Sequence, residues 1–317
     1  MIGFWLFAAL ALEQPRPSCT PDQLRELTTV SDRPYRLDCS AHLTAGQSIP
    51  RPVLIEGASA SGVTLDCAGA AVGRRDLTAS TTRPTLSIRS HKRDDGQWER
   101  LSDVVVRNCH ILGNVRVLGM GADGSYDDLR QSSRSLGHTE RAQDAAPTRI
   151  TLDHLTLTGQ GTIPLYIGTG VTAVSLTQST LNGTSTSTAI YLDAESGHHS
   201  LTANRILTRT GREMIAVDGS AHNRIIGNRF DLHGKPAILL YRNCGERGVV
   251  RHQTPSNNLI RDNSFTGASW LRPRLVVENA RNGGRSYCRD DAGYPFGSSI
   301  DDRDNGSGNQ IRDNRRN

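Results

Sequence analysis

The chain has 317 residues, a formal net charge of +5, 5% aromatic residues and 31 glycines. An isoelectric point near 9.0 permits an anionic partner, but no basic helix and no strand interleaving basic with aromatic residues is present, so nucleic acid is excluded as a partner. Composition calls for one elongated domain and no second one.

The first residues, MIGFWLFAALALEQ, form an apolar run too short to span a bilayer and end in Ala9-Leu10-Ala11. Residues 1–11 are therefore expected to be a secretory signal cut after Ala11, with no stable membrane insertion afterwards. Residues 12–51 are Pro-rich and irregular and are expected to form an N-terminal cap. Within them TPDQLRELTT reads as a helix with Thr20 as its N-cap.

Residues 52–317 carry a repeat. The segment AHNRIIGNRF (221–230) returns as NNLIRDNSF from Asn257 and as NQIRDNRRN from Asn309. In register, the apolar residue and its partners at +3 and +5 read Val106/Cys109/Ile111, Leu152/Leu155/Leu157, Leu176/Ser179/Leu181, Leu201/Asn204/Ile206, Ile225/Asn228/Phe230, Ile260/Asn263/Phe265 and Ile311/Asn314/Arg316. Three successive spacings are 24, 25 and 24 residues, and the longer ones are one period plus an insertion. The segments are rich in Val, Ile, Leu and Thr with period-2 alternation, so they read as strands.

A second strand follows in each period: PLYIG at 164, AIYLD at 189, MIAVD at 214, AILLY at 237 and RLVVE at 274. Two short strands and turns per coil, each coil burying its apolar face only against the next, make an all-β, single-stranded, right-handed parallel β-helix, a solenoid with long loops on one edge. Asn204, Asn228, Asn263 and Asn314 then fall at one bend of consecutive coils and are expected to bond to one another as a ladder.

Six cysteines without CxxC spacing favour disulfides and an oxidising compartment. Register suggests Cys19 with Cys39, Cys67 with Cys109, and Cys244 with Cys288. The expected location is periplasmic or extracellular in a bacterium.

Aligning the second strands by their inward pairs leaves two outward columns. One runs Tyr166, Tyr191, Ala216, Leu239, Val276; the other runs Gly168, Asp193, Asp218, Tyr241, Glu278. Like charges at Asp193 and Asp218, one rung apart, are unfavourable unless something uses or neutralises them. Three long polar insertions, 119–147, 242–255 and 279–305, leave the coil just after this strand. Loops gathered on one edge of a terse solenoid form the walls of a cleft.

The N-x-[IL]-x-x-N-x-F pattern, running from about Pro52 to the C-terminus, resembles the right-handed parallel β-helix proteins of the pectate-lyase-like superfamily, which include polysaccharide lyases, uronan epimerases and polygalacturonases. The Gly-His-Gly and Arg-Ile-Lys motifs of polygalacturonases and the Asp-Pro-His-Asp of alginate epimerases are missing. Arg272-Pro273-Arg274 is too short a trace of a lyase site, so no family site residue carries over.

Residue types supply the remaining expectations. Asp193, Glu195, Asp218 and Glu278 form a candidate calcium site, since this hard cation takes several carboxylate oxygens. Tyr241, Arg242 and His252, with Asp193 and Asp218, are the candidate catalytic groups. Tyr166, Tyr191, Glu246 and Arg285 are the candidate substrate-binding groups, the tyrosines stacking on sugar faces. The leading expectation is an exported, monomeric, carbohydrate-active protein, a lyase or epimerase acting on an acidic, uronate-containing polysaccharide. A glycoside hydrolase using Asp193 and Asp218 as an acid/base pair, and a non-catalytic glycan-binding or envelope scaffold protein, are the alternatives.

Overall fold

The structure, a computed structural model, describes residues 16–122, 124, 126–267, 273–278, 294 and 306–317, and for Glu246 the backbone alone. The expected signal segment lies outside the described residues, as does Cys288, on which the expected bond to Cys244 depends.

Among the described residues the repeat builds three nine-stranded sheets, in which strands of successive coils pair in parallel. This is a parallel β-helix. The expected register holds through the stack: Val106 pairs with Leu152, Leu152 with Leu176, Leu176 with Leu201, Leu201 with Ile225, and Ile225 with Ile260. Residues at these positions are fully buried and form one continuous core, with Phe230 stacked on Phe265 at 4.8 Å. No helix among the described residues is long and apolar enough to cross a membrane.

Each coil has three strands where two were expected. The chain turns within the expected first strand, so that Arg224–Ile226 and Arg229–Asp231, for example, belong to different sheets. A left-handed residue makes that turn in every coil, among them Ala203, Gly227, Asp262 and Asp313, each directly before an Asn of the column, and Gln178 before Ser179 in the same register. Only glycine takes this conformation without strain, and Asp tolerates it better than Ala or Gln.

The Asn column offsets the strain. Asn204 Nδ2 donates to Asn228 Oδ1 at 3.0 Å, Asn228 Nδ2 to Asn263 Oδ1 at 3.0 Å, and Asn263 Nδ2 to Asn314 Oδ1 at 2.9 Å. Each Oδ1 also accepts the backbone N–H of the Asn one coil earlier, and each Nδ2 reaches a carbonyl such as Leu201 O, 2.8 Å from Asn228. A second ladder lies five residues earlier, at the first Asn of the motif: Asn223 Nδ2 donates to Asn258 Oδ1 and Asn258 Nδ2 to Asn309 Oδ1. His199 occupies the preceding rung, where its Nδ1 accepts from Val174 N and its own N–H donates to Asn223 Oδ1.

At the N-terminal end, α1 (Pro21–Leu27) carries the expected Thr20 cap, closed reciprocally by Gln23, and buries Leu27 in the core. The sheets begin earlier than the expected boundary at Pro52, since Tyr35 pairs with Val53 and Ala41 with Leu65. Cys19–Cys39 and Cys67–Cys109 are bonded as expected.

Candidate functional site

The site lies on the sheet that holds Val53–Glu56, Leu86–Arg89, Val115–Leu118, Leu165–Ile167, Ile190–Leu192, Ile215–Asp218 and Ile238–Tyr241, here called the front sheet. Alternation sends Leu165, Ile167, Ile190, Leu192, Ile215 and Val217 into the core, all fully buried, and the intervening residues outward. In neighbouring rungs the outward residues Ser87, Arg116, Tyr166 and Tyr191 stand side by side. They line an open cleft of about 1110 Å³ across the sheet.

Two insertions build one wall. The first carries α2 (Asp127–Ser133) and α3 (His138–Ala145), with Asp127 and Asp128 in the first turn of α2, where the helix dipole favours negative charge. The second, residues 242–255, folds over the sheet to meet it. Arg130 Nε donates to Arg247 O at 2.8 Å, Val250 N to Ser133 Oγ at 2.9 Å, and His252 Nε2 lies 2.7 Å from Ser133 O. At the mouth, Arg247 sits over the Tyr126 ring at 4.4 Å.

Beneath this wall Asp193 and Asp218 are outward neighbours, as expected, but they are buried. Arg251 bridges them, with Nη1 2.6 Å from Asp218 Oδ2 and Nη2 3.1 Å from Asp193 Oδ1. Burial alone would lower the Arg251 pKa; Asp218 and Asp193 more than offset that and hold it well above the ordinary value. Asp218 also accepts the Tyr191 hydroxyl and both the backbone and side-chain N–H of Asn243. Asp193 accepts the Tyr166 hydroxyl, the Thr169 hydroxyl at 3.3 Å and Ala194 N at 2.9 Å. The two tyrosine rings stack at 5.5 Å, and Arg116 lies over Tyr166 at 4.8 Å. Burial and then the Asp193 charge push the Tyr166 phenol well above its ordinary pKa, and burial with Asp218 does the same to Tyr191.

Several expected site residues are elsewhere or engaged. Tyr241 is fully buried, its hydroxyl donating to Glu213 Oε1 at 2.7 Å and accepting from Arg212, so it cannot meet a substrate. Arg242 is 7% exposed and donates to His252 O, bracing the loop. His252 packs edge-on against buried His138 at 5.1 Å and lies outside the cleft lining. Glu195 is fully buried under Thr139 and the backbone N–H groups of His252 and Gln253; burial raises its pKa despite those bonds.

Glu278 leaves the carboxylate column because Ile238 pairs with Val276 and Leu239 with Val277, a shift of one residue from the expected alignment. It accepts from Asn309 Nδ2 at 2.6 Å, at the end of the second Asn ladder. The four expected calcium ligands therefore do not fit the ion as a set: Arg251 supplies the positive charge between Asp193 and Asp218, and the other two carboxylates point elsewhere. Among the described residues no group of three or more His, Cys, Asp or Glu is placed to hold a metal ion. Arg285 and the side chain of Glu246 lie outside the described residues.

Two arginines of the site escape the column alignment. Arg116 was discoverable, since NVRVLG has the same in-and-out alternation as IPLYIG. Arg251 was visible only as one charge in a long loop.

No protein-family model matches the chain, and none of the curated proteins matches it. Solved structures that align with it include the enzymatically active domain of bacteriophage CBA120 tailspike protein 2, at 10% identity and a TM-score of 0.32 over 90% of this chain and 39% of that one. The A-module of the Azotobacter vinelandii mannuronan C-5 epimerase AlgE4 aligns at 11% identity and 0.28, over 90% and 86%. XylC, solved in complex with xylose, aligns at 10% and 0.30, over 87% and 43%. This chain thus spans less than half of the tailspike and XylC chains.

Proposed function

We propose that this β-helix protein is carbohydrate-active, that its front-sheet cleft takes an acidic, uronate-containing polysaccharide, and that its reaction is of the lyase or epimerase class. The Tyr166–Asp193 hydrogen bond on the floor of the cleft carries this reading. A phenol held against a carboxylate relays a proton: Tyr166 Oη takes the C5 proton of a uronate while its own proton passes to Asp193. The resulting carbanion either expels O4, leaving a C4–C5 double bond and a released chain end protonated by water, or takes a proton from water on its other face, inverting C5. In both cases Asp193 then gives up its proton to solvent. Arg251 fixes the carboxylate, and the arginine-rich lining suits the negative charge that develops.

The hydrolase alternative is disfavoured by Asp218, whose oxygens accept four hydrogen bonds out of contact with the cleft. The reading is tested by incubating the protein with a panel of uronate polymers and following unsaturated-uronate absorbance, reducing ends and C5 configuration. Unsaturation or inversion supports it. Reducing ends without unsaturation indicate hydrolysis, and binding without turnover indicates a glycan-binding module.

A further inference from the structure

Arg116 is an unusual residue for a solenoid face. Its side chain projects outward from Val115–Leu118 into the cleft, yet the residue is only 5% exposed. The other buried or half-buried arginines of the cleft have a carboxylate: Arg89 has Glu56, Arg212 has Glu213, and Arg251 has both aspartates, while Arg83 and Arg247 are exposed to solvent. Arg116 has a ring. It lies over Tyr166, and its buried Nε has no hydrogen-bond partner.

Burial of a cation without an anion is unfavourable, and a stacked phenol compensates only part of it. Desolvation accordingly lowers the Arg116 pKa, with Tyr166 acting in the opposite direction. The neighbours in register supply no negative charge, being Ser87 on one side and Tyr166 on the other. The group that completes this environment is a planar anion, which a guanidinium receives edge-on while its face stays on the aromatic ring.

We propose that Arg116, stacked on Tyr166, is the receptor for the carboxylate of a sugar-acid unit and is what selects a charged polymer over a neutral one. The inference rests on the glycan reading of the cleft and extends it to a specific residue and a specific ligand group. Ser87, beside Arg116 on the preceding rung, provides a hydroxyl within the same floor. Tyr166 has two roles here, one edge bonding Asp193 and one face holding the cation, which places the carboxylate and the reacting carbon on the same sugar.

The test compares wild type, Arg116→Met and Arg116→Lys by calorimetry and melting temperature. The probes are oligogalacturonate and oligomannuronate, each beside its carboxyl-reduced counterpart, and sodium sulfate. The wild type should bind at least one uronide about tenfold or more tighter than the reduced oligomer, the scale of one charge-assisted contact. Arg116→Met should abolish that preference, bind the reduced oligomer as the wild type does, and melt at the same or a higher temperature, since a buried uncompensated charge has gone. Arg116→Lys, which keeps the charge without the fork, should retain part of the preference. The inference is overturned if Arg116→Met keeps the preference, or if it weakens both oligomers equally and melts lower, the behaviour of a structural residue. If the wild type binds no oligomer, the glycan reading fails, and sulfate then decides the site by itself. A sulfate-induced rise in melting temperature that disappears in Arg116→Met leaves an anion site but overturns its assignment to a sugar carboxylate, and no rise overturns the site altogether.

Discussion

Asp218 accepts from Tyr191, from Arg251 and twice from Asn243, with no exposed surface of its own. Had it been a solvated surface charge, Asp218→Asn would have relieved repulsion and left stability unchanged. Buried against Arg251, the same substitution leaves a cation without half of its compensation and should lower stability by about 3 kcal/mol in chemical denaturation. The pair at Asp193 and Asp218 was legible in the sequence because strand alternation fixes which way each side chain points. Its neutralisation was not, because Arg251 comes from a loop with no periodicity to set its register. His199 makes a second prediction at this scale. Burial lowers its pKa from 6.5 to about 3, and its neutral Nδ1 accepts the Val174 N–H. Between those values the unfolded chain binds a proton that the folded chain refuses, so the stability present above pH 6.5 falls as pH drops. His199→Asn places in that rung the residue used by the next ones. It should remove about 2 kcal/mol of the stability loss between pH 7 and pH 4.5, measured by denaturant melts at both values.

At the level of elements, the two Asn ladders bind one coil to the next at both ends of the same strand column. The first ladder was legible because its members recur in register with the buried aliphatics. The second uses the other Asn of the same motif, which precedes the apolar residue instead of lying between two of them, so strand alternation does not single it out. Asn228→Ala removes the acceptor of both the backbone and the side-chain N–H of Asn204, and the donor to Leu201 O. Stability should fall by about 2 to 4 kcal/mol, with the Asn204 backbone N–H left buried and unsatisfied. The Cys67–Cys109 bond closes a separation of 42 residues between early coils. Replacing both cysteines with Ala should cost about 3 to 4 kcal/mol by the chain-entropy relation, read as a lower denaturation midpoint. The helices α2 and α3 were not foreseen. Their sequence is polar, with only Leu129, Ser133, His138, Ala142 and Ala145 buried, so neither strand nor helix periodicity stands out in it.

For the whole molecule, the solenoid supplies a rigid floor and the insertions decide what reaches it. Three insertions were expected on one edge of the coil; the cleft lies beside 119–147 and 242–255, with its centre displaced from the expected one, while 279–305 lies outside the described residues apart from Tyr294. The two described insertions close over Asp218 and leave open the earlier rungs, where Arg116, Tyr166 and Tyr191 stand. Arg242 and His252 therefore belong to the architecture of the wall and Tyr241 is buried in the sheet, while Tyr166 and Asp193 remain at the floor. The most direct test of that assignment is a paired measurement on wild type and Tyr166→Phe: unsaturated-uronate absorbance and C5 configuration on uronate polymers, beside melting temperature. The wild type should generate unsaturated ends or inverted C5 centres, and Tyr166→Phe should slow this by about a hundredfold or more while still melting cooperatively. A Tyr166→Phe protein that turns the polymer over at the wild-type rate would contradict it and place the chemistry outside this cleft.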